Sequence, residues 1–494
     1  MKKIFSITAA TIFLFVFAVF IAMQIGVDSD ALFPFSVAKD IVTGVSVKHW
    51  YFPGPLFFFP EILFSIPLVF ILKTPSLWAV AIAFLQQLSL VLVICFFTEK
   101  QKSLSLATRF ISAVFVVFIT YLIGKVIFHW VWIQMADKAF IAVNHFSAQL
   151  ISLILYFLTK PTSPQPISSK KVITVFLIAF ATAFSDPLFI LYFACLNLPY
   201  LFKYRLSLFK NLKWLGTTLG IACTALIGIF FNVHFNPGMA VELNPHAGSS
   251  TLNLLANLIH FFKNTHWLGV TLVFAVPAVL LFMSVKQRQT ELTLVLSGLL
   301  LIGSVCVLLG LMNGDTSCLR YIGIYYLIMA YAFFELFSAA FLTFLSKPFI
   351  AIIALCFAIS CGHHYLKNYS AGIFKVEFHP LLNCPELKQA MKNHYFVSKY
   401  WGAKLLFEYT DREASLFQVN GTFSSYHWIM NPAWQTLHGK KPTQVLICTY
   451  QMTPAKINAI LQLPHANSLC NGQLIDVPFN QKIITLVPAL ASQK

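Results

Sequence analysis

Residues 292–312 read LTLVLSGLLLIGSVCVLLGLM, a run of 21 residues without a single charged side chain. Because lipid cannot satisfy a free backbone amide, an apolar run of about 20 residues is typical of a helix that crosses a bilayer. Similar runs recur along most of the chain, which is 58% hydrophobic and only 10% charged. Soluble domains carry roughly 25% charged residues. The pattern therefore predicts an α-helical polytopic membrane protein.

Eleven apolar runs are predicted to span the membrane, at about 4–26, 77–97, 107–127, 146–159, 172–185, 186–201, 216–232, 267–284, 292–312, 322–345 and 348–362. Lys2 and Lys3 precede the first run, which is longer than the core of a signal peptide and lacks a small-x-small cleavage site. We therefore expect a retained first span. Residues 60–74 are apolar but short and rich in proline, which favours an interfacial or re-entrant helix on the outer side.

The basic residues indicate the orientation. They cluster in alternate loops, as expected for cytoplasmic loops of a membrane protein, at 99–102, 160–171, 203–213, 286–288 and 347. This pattern accounts for the net charge of +17 without a nucleic-acid partner. Since the number of spans is odd and the N-terminus is cytoplasmic, the C-terminus is expected outside. The expected location is a bacterial inner (plasma) membrane, with the lipid bilayer as a partner.

Two regions follow from this arrangement: a transmembrane domain 1–362, with long external loops 27–76 and 233–266, and an extracytoplasmic domain 363–494. Charge returns in the second region, which we expect to be a small α/β domain. Its patterns predict helices at 385–409 and 454–462 and strands at 443–449 and 473–478. Ten cysteines show no metal spacing, and one or two disulfides are expected among a subset whose pairing stays open: Cys361, Cys384, Cys448 and Cys470.

Nearly all acidic side chains, and all fourteen histidines, fall on the predicted outer side or at its boundary. Asp28 and Asp30 come just after the first span. A carboxylate there can deprotonate an acceptor hydroxyl, or hold a divalent cation such as Mg²⁺ or Mn²⁺ against a phosphate. They can equally cap the helix that follows residue 30. Any reaction is therefore expected on the outer face.

The first loop resembles that of the GT-C superfamily, the integral membrane glycosyltransferases that use polyprenyl-phosphate-linked sugars. The similarity rests on Asp30, the aromatic stretch 33–35, Asp40, Gly44 and the proline-aromatic stretch 53–58. It covers the first hundred or so residues in motif and the whole chain only in architecture. It implies that Asp30 is the general base or a metal contact, with Asp28 as the second choice.

Other external residues are candidates for binding the donor phosphate or the substrate. Arg320 suits a lipid phosphate, although it can also pair with Asp315 or extend to headgroups. Asp186 lies in a tight hairpin before Pro187, where an Asp-Pro turn is the alternative. The remaining candidates are Lys138, Asp137, which is also a possible metal ligand, Asp40 and His49. A nearby histidine, His145, belongs to the same external loop as Asp137.

The expected function is transfer of a sugar from a polyprenyl phosphate to a lipid or polysaccharide acceptor of the cell envelope. A polytopic transporter or flippase is the alternative. It would favour charged groups midway through spans, and Glu335 is the main example. A non-enzymatic assembly protein with an external binding domain is the third hypothesis.

Overall fold

The computed structural model describes residues 2–25, 31–48, 50–53, 55–98, 104–129, 145–160, 169–204, 212–235, 256–257, 259–261, 267–313, 323–345, 369–370, 373–374, 381, 384, 386–392, 394–420, 423–426, 430–436, 442–449 and 452–493. The chain divides into two compact units. We call Met1–Ile25, Gly54–Glu61 and Val80–Gly362 the helical unit. We call Gly26–Pro53, Ile62–Ala79 and His363–Lys494 the sheet unit.

Long helices make up the helical unit. Their bounds are Lys2–Ile25, Pro75–Phe97, Leu106–His129, Phe146–Thr159, Ser169–Ser185, Phe189–Tyr204, Leu212–Phe235, Trp267–Lys286, Thr290–Asn313 and Ile324–Leu345. Each of the first ten predicted spans coincides with one of these helices. The eleventh, 348–362, lies outside the described residues.

Four helical stretches of the described chain are long and apolar enough to cross a membrane: Pro75–Phe97, Leu106–Ile123, Trp214–Phe235 and Thr290–Met312. Further apolar helices are shorter, namely Ser6–Ala22, Phe58–Leu72, Phe146–Thr159, Phe189–Tyr204, Val270–Lys286 and Ile324–Phe337. The structure thus agrees with a mostly helical chain that has several helices fit to span a membrane. The number eleven and the interfacial position of 60–74 stay predictions.

Small residues allow two pairs of these helices to approach closely. A Cβ at Gly228 would lie 2.7 Å from the carbonyl oxygen of Phe180, and one at Gly298 would lie 3.0 Å from that of Cys195. Glycine at these points lets backbones meet, which is how helices commonly pack where lipid removes the hydrophobic driving force.

The sheet unit combines helices between residues 33 and 72 with the C-terminal sheet and its helices. The helices are Phe33–Thr43, Leu63–Leu72, Leu387–Met391, Tyr400–Tyr409, Pro454–Leu461 and Gln481–Leu486. A short hairpin pairs β1 (Tyr369–Ser370) with β2 (Ile373–Phe374). The main sheet contains β3 (His394–Lys399), β4 (Ser415–Val419), β5 (Gln444–Cys448), β6 (Asn467–Leu469) and β7 (Leu474–Pro478).

The order in the main sheet is β4-β3-β5-β7-β6. Strand β3 is parallel to both β4 and β5, whereas β7 is antiparallel to β5 and β6. All five residues of β4 are buried, as expected for a parallel strand covered on both faces. The predicted elements at 443–449, 454–462 and 473–478 are confirmed as β5, the Pro454–Leu461 helix and β7.

The predicted continuous helix 385–409 is wrong. Strand β3 separates the Leu387–Met391 helix from the Tyr400–Tyr409 helix. The reason lies in Tyr395, Phe396 and Val397, because aromatic and β-branched side chains favour a strand that pairs on both sides.

A disulfide joins Cys384 to Cys470 across 86 residues. Cys448 is a buried residue at the end of β5, and Cys361 lies outside the described residues. The sequence left the pairing of these four cysteines open, and the structure pairs two of them, Cys384 and Cys470. Disulfides of this kind persist in oxidising compartments and are rare in the cytosol.

Candidate functional site

Three segments of the helical unit bring titratable side chains together. His145 precedes the Phe146–Thr159 helix and adopts a left-handed backbone conformation with φ 59°. Asp186 follows the Ser169–Ser185 helix and opens the turn into Phe189–Tyr204. Glu61 lies in the π-helical turn Phe58–Ile62. All three residues are buried, with 4–6% of the residue surface exposed.

His145 and Asp186 form a tight pair. Nδ1 of His145 lies 2.6 Å from Oδ2 of Asp186. The other carboxylate oxygen, Oδ1, accepts a hydrogen bond from the backbone N–H of Leu188 at 3.1 Å. Asp186 thus forms the turn that was predicted as its alternative role, and it also contacts His145. A carboxylate on Nδ1 holds an imidazole in one orientation and favours the tautomer whose basic lone pair is on Nε2.

Ser185 ties the Glu61 segment to this pair. Its hydroxyl oxygen accepts a hydrogen bond from the backbone N–H of Phe59 at 2.6 Å, and its carbonyl accepts one from Phe57 at 3.2 Å. The ring of Phe57 packs against His145, with 5.6 Å between ring centroids. These contacts hold the backbone of the Glu61 segment against Ser185, and this brings Glu61 near Asp186.

In this cluster, the carboxyl of Glu61 has a raised pKa. Burial raises the pKa of its carboxyl from 4.5 to about 8, and the neighbouring charge of Asp186 adds to the effect. A hydrogen bond with Ser147 opposes the shift without reversing it. A carboxyl with such a pKa is mostly protonated at neutral pH, so it can donate a hydrogen bond to a substrate oxygen or take part in proton transfer.

The raised pKa of Glu61 leads to a stability prediction. The folded protein binds a proton that the unfolded chain has lost between pH 4.5 and about 8, so stability falls across this window. The slope is about 1.4 kcal/mol per pH unit at most. We expect Glu61→Gln to be nearly neutral at pH 5 and stabilising relative to the wild type at pH 8.5. Thermal unfolding in detergent at both pH values measures this difference.

A suitable control is Glu386→Gln, which removes a carboxyl of the sheet unit that is exposed. Its melting difference from the wild type should not change between the two pH values. A Glu61→Gln variant that is equally destabilised at pH 5 and pH 8.5 would contradict the raised pKa.

A second buried cluster lies in the sheet unit, around Asp40. Its carboxylate accepts hydrogen bonds from the indole Nε1 of Trp50 at 2.7 Å, the amide of Asn431 at 2.6 Å and the indole of Trp434 at 3.0 Å. Arg412 also forms an ion pair with it. Asp40 is fully buried, so its partners all lie within the protein.

Arg412 joins Asp40 to a second carboxylate. Its guanidinium contacts both oxygens of Glu408, at 2.7 and 3.0 Å. Burial alone would raise the pKa of Glu408, but the positive charges of Arg412 and Lys39 outweigh burial and lower the pKa to about 2. Glu408 therefore stays ionised at neutral pH. These contacts give Asp40 a structural role, and its part in substrate binding stays a prediction.

The other predicted site residues, namely Asp28, Asp30, His49, Asp137, Lys138 and Arg320, lie outside the described residues. The two that are described, Asp40 and Asp186, belong to different units. Glu61 and His145 both fall on the predicted outer side, but the sequence carries no signal that joins them to Asp186. Arg412 follows the end of the Tyr400–Tyr409 helix with φ 61°, so its pairing with Glu408 depends on the turn after the helix and not on helical spacing.

Among the described side chains, one group of metal-ligating residues converges: Cys384, Glu386 and Cys470. Its two sulfur atoms form the disulfide, which leaves no thiolate for a metal ion. The expected divalent-cation ligands, Asp30 and Asp137, are outside the described residues.

No protein-family model, no curated protein and no solved structure matches this chain.

Proposed function

We propose that this protein is a membrane glycosyltransferase that moves a sugar from a polyprenyl phosphate to a lipid or cell-envelope acceptor on the outer face. The observation that carries the proposal is the cluster of His145, Asp186 and Glu61. It combines an oriented imidazole with a carboxyl whose pKa is about 8. Perturbed groups of this kind concentrate at catalytic sites. All three belong to segments whose sequence pattern predicts an external position.

The proposed reaction is a single displacement with inversion. An oxygen of the acceptor hydroxyl forms a bond to the anomeric carbon, and the bond from that carbon to the phosphate oxygen breaks. The polyprenyl phosphate leaves with the bonding electrons, and the hydroxyl proton passes to a carboxylate. Charge builds on the phosphate, so fixed cations beside it stabilise the transition state.

In this scheme Asp30 accepts the proton, as its resemblance to the GT-C superfamily implies. Arg320 and Lys138 bind the donor phosphate, with Asp137 available for a divalent cation. His145 and Asp186 bind hydroxyls of the sugar, and protonated Glu61 donates a hydrogen bond to a sugar oxygen. Such contacts hold the anomeric carbon in line for attack.

The first external loop supports the resemblance. The stretch that carries Phe33, Pro34 and Phe35 forms the Phe33–Thr43 helix, which ends at Gly44 with φ 74°. A glycine ends a helix in this left-handed conformation at little steric cost. The loop thus has an aromatic-rich short helix followed by glycine, in the order that the GT-C pattern requires.

The Cys384–Cys470 disulfide supports an external position of the C-terminal region. We expect both thiols to be oxidised in intact cells, so that a maleimide labels neither without a reductant. The double variant Cys384→Ser/Cys470→Ser should lose roughly 2–5 kcal/mol of stability. The control is Cys223→Ser, which removes an exposed free thiol and should change stability little. Quantitative labelling of Cys384 in unreduced cells would contradict the external position.

A transporter or flippase is the second candidate. The observation in its favour is the burial of Glu335, of which 6% is exposed, within the Ile324–Leu345 helix. An acidic group inside a span is typical of an ion or substrate pathway.

One experiment separates the two functions. The purified full-length protein is reconstituted in liposomes with a panel of short-chain polyprenyl-phosphate hexoses, and release of polyprenyl phosphate is measured. Glycosyl transfer predicts release for at least one donor, in amounts equal to the sugar transferred to lipid. Release of none of them, together with donor-independent uptake of solute, would favour transport.

A further inference from the structure

The helical unit contains a cavity of about 490 Å³ whose lining does not include the Glu61 cluster. This volume lies in the range of small-molecule sites, roughly 300–1,000 Å³. Its walls include ends of the Phe146–Thr159 and Phe189–Tyr204 helices and the turn between Trp267–Lys286 and Thr290–Asn313. The basic loops at these ends are predicted to be cytoplasmic. The cavity therefore belongs to the predicted inner leaflet.

Charges of both signs line this cavity. Lys160 and Glu291 form an ion pair, with 2.5 Å between Nζ and Oε1. Their formal charges offset each other. The other charged lining residues are Arg288, one positive, and Glu335, one negative. The charges of the lining thus sum to zero, so neither a purely anionic nor a purely cationic ligand gains a net attraction from it.

Features suited to an anion occur together at the turn. Arg288 lies two residues before the start of Thr290–Asn313, and Thr290 and Glu291 from the first turn of that helix also line the cavity. The N–H of Thr290 donates to the carbonyl of Arg288 at 3.1 Å, and the positive end of the helix dipole favours negative charge at this terminus. A phosphate oxygen can accept hydrogen bonds from the guanidinium fork of Arg288.

Features suited to an ammonium group occur in the same cavity. Four tyrosines line it, among them Tyr200 and Tyr204, whose ring centroids are 4.4 Å apart. Aromatic faces and a carboxylate attract ammonium groups. The side-chain oxygen of Gln289 is buried and has no hydrogen-bond donor within the described chain. A buried acceptor in this state is costly unless a ligand supplies a donor.

We propose that the cavity binds the headgroup of a phospholipid that carries both a phosphate and a primary ammonium, as phosphatidylethanolamine does. The phosphate contacts Arg288 and the start of the Thr290–Asn313 helix. The ammonium contacts Gln289, Glu335 and the tyrosine rings. The acyl chains extend to the bilayer. The site is independent of the proposed sugar transfer, because its residues and its predicted side of the membrane are different.

The test measures binding to the purified full-length protein by calorimetry. The probes are dihexanoyl phosphatidylethanolamine, dihexanoyl phosphatidylglycerol and free phosphoethanolamine. We expect the ethanolamine lipid to bind at least tenfold more tightly than either of the others. Arg288→Gln and Glu335→Gln should each weaken its binding about tenfold, which corresponds to about 1.4 kcal/mol. Lys286→Gln removes an exposed neighbouring charge that does not line the cavity and should have no effect.

Equal affinity for the two lipids, or unchanged binding in Arg288→Gln, would overturn the proposal. If free phosphoethanolamine binds as tightly as the lipid, the cavity recognises a soluble headgroup and not a lipid, and the proposal is wrong. Because Arg288 is exposed, its variant tests the site even if Glu335→Gln fails to fold. No sugar donor is needed, so failure of the glycosyltransferase proposal leaves this result interpretable.

Discussion

Asp30→Asn is expected to lower sugar transfer by about 10²–10⁴-fold, because it removes the proposed general base. The asparagine side chain has nearly the same shape but cannot accept the acceptor's proton at neutral pH. The protein should still insert and accumulate, since a single neutral substitution in the first loop leaves the apolar runs intact. Initial rates with saturating polyprenyl-phosphate sugar measure the loss.

Asp28→Asn is the matched control for the base. It removes a carboxylate two residues away and should retain most of the activity. Glu99→Gln changes an acid on the predicted cytoplasmic side and should retain all of it. If Asp30→Asn keeps the wild-type rate, the assignment of the base is wrong, whichever enzyme class the protein belongs to.

Arg412→Ala is expected to cause the largest loss of stability. It removes the cation shared by Asp40 and Glu408, both of which are fully buried. Removing one partner of a buried ion pair costs about 3–5 kcal/mol, because a buried charge is left without compensation. We therefore expect the sheet unit to unfold at much lower temperature. Limited proteolysis during a thermal ramp, followed on the C-terminal fragments, measures this shift.

Lys388→Ala provides a matched control within the same unit. Lys388 pairs with Asp411 at 2.6 Å, but both side chains are more than half exposed. Exposed pairs contribute only about 0–1 kcal/mol, so this variant should melt close to the wild type. If Arg412→Ala and Lys388→Ala lower the melting temperature equally, the buried network contributes no more to stability than a surface pair does.

Lowering the pH is expected to destabilise the ion pairs of Glu408, whereas raising the pH destabilises the folded protein through Glu61. The pKa of Glu408 is lowered to about 2, so its stabilising effect is fully present above pH 4.5 and is lost as pH falls toward 2. Glu61 destabilises the folded state at high pH, whereas Glu408 does so only in strong acid.

Helices of the membrane part could be predicted from the sequence because each apolar run carries its own signal. Local patterns also predicted β5 and the Pro454–Leu461 helix. They failed at 385–409, where tertiary pairing of β3 with two neighbouring strands outweighs the helical pattern. A local pattern determines the secondary structure of a segment unless long-range contacts stabilise another structure by a larger free energy.

The candidate site was predictable only in part. Asp186 and His145 were both named from their external positions, but their pairing joins residues 41 positions apart. Arg412 meets Asp40 across 372 positions. No local pattern in a single sequence encodes such distances, so these partners became visible only in the fold. The raised pKa of Glu61 likewise depends on burial that periodicity does not report.

Sugar transfer by an active site on the outer face is tested most directly by adding a water-soluble, short-chain polyprenyl-phosphate sugar to sealed membrane vesicles of known orientation. An outer-face site predicts release of polyprenyl phosphate in right-side-out vesicles without permeabilisation, and none in inverted vesicles until they are opened. Release in sealed inverted vesicles, with none in right-side-out vesicles, would contradict it.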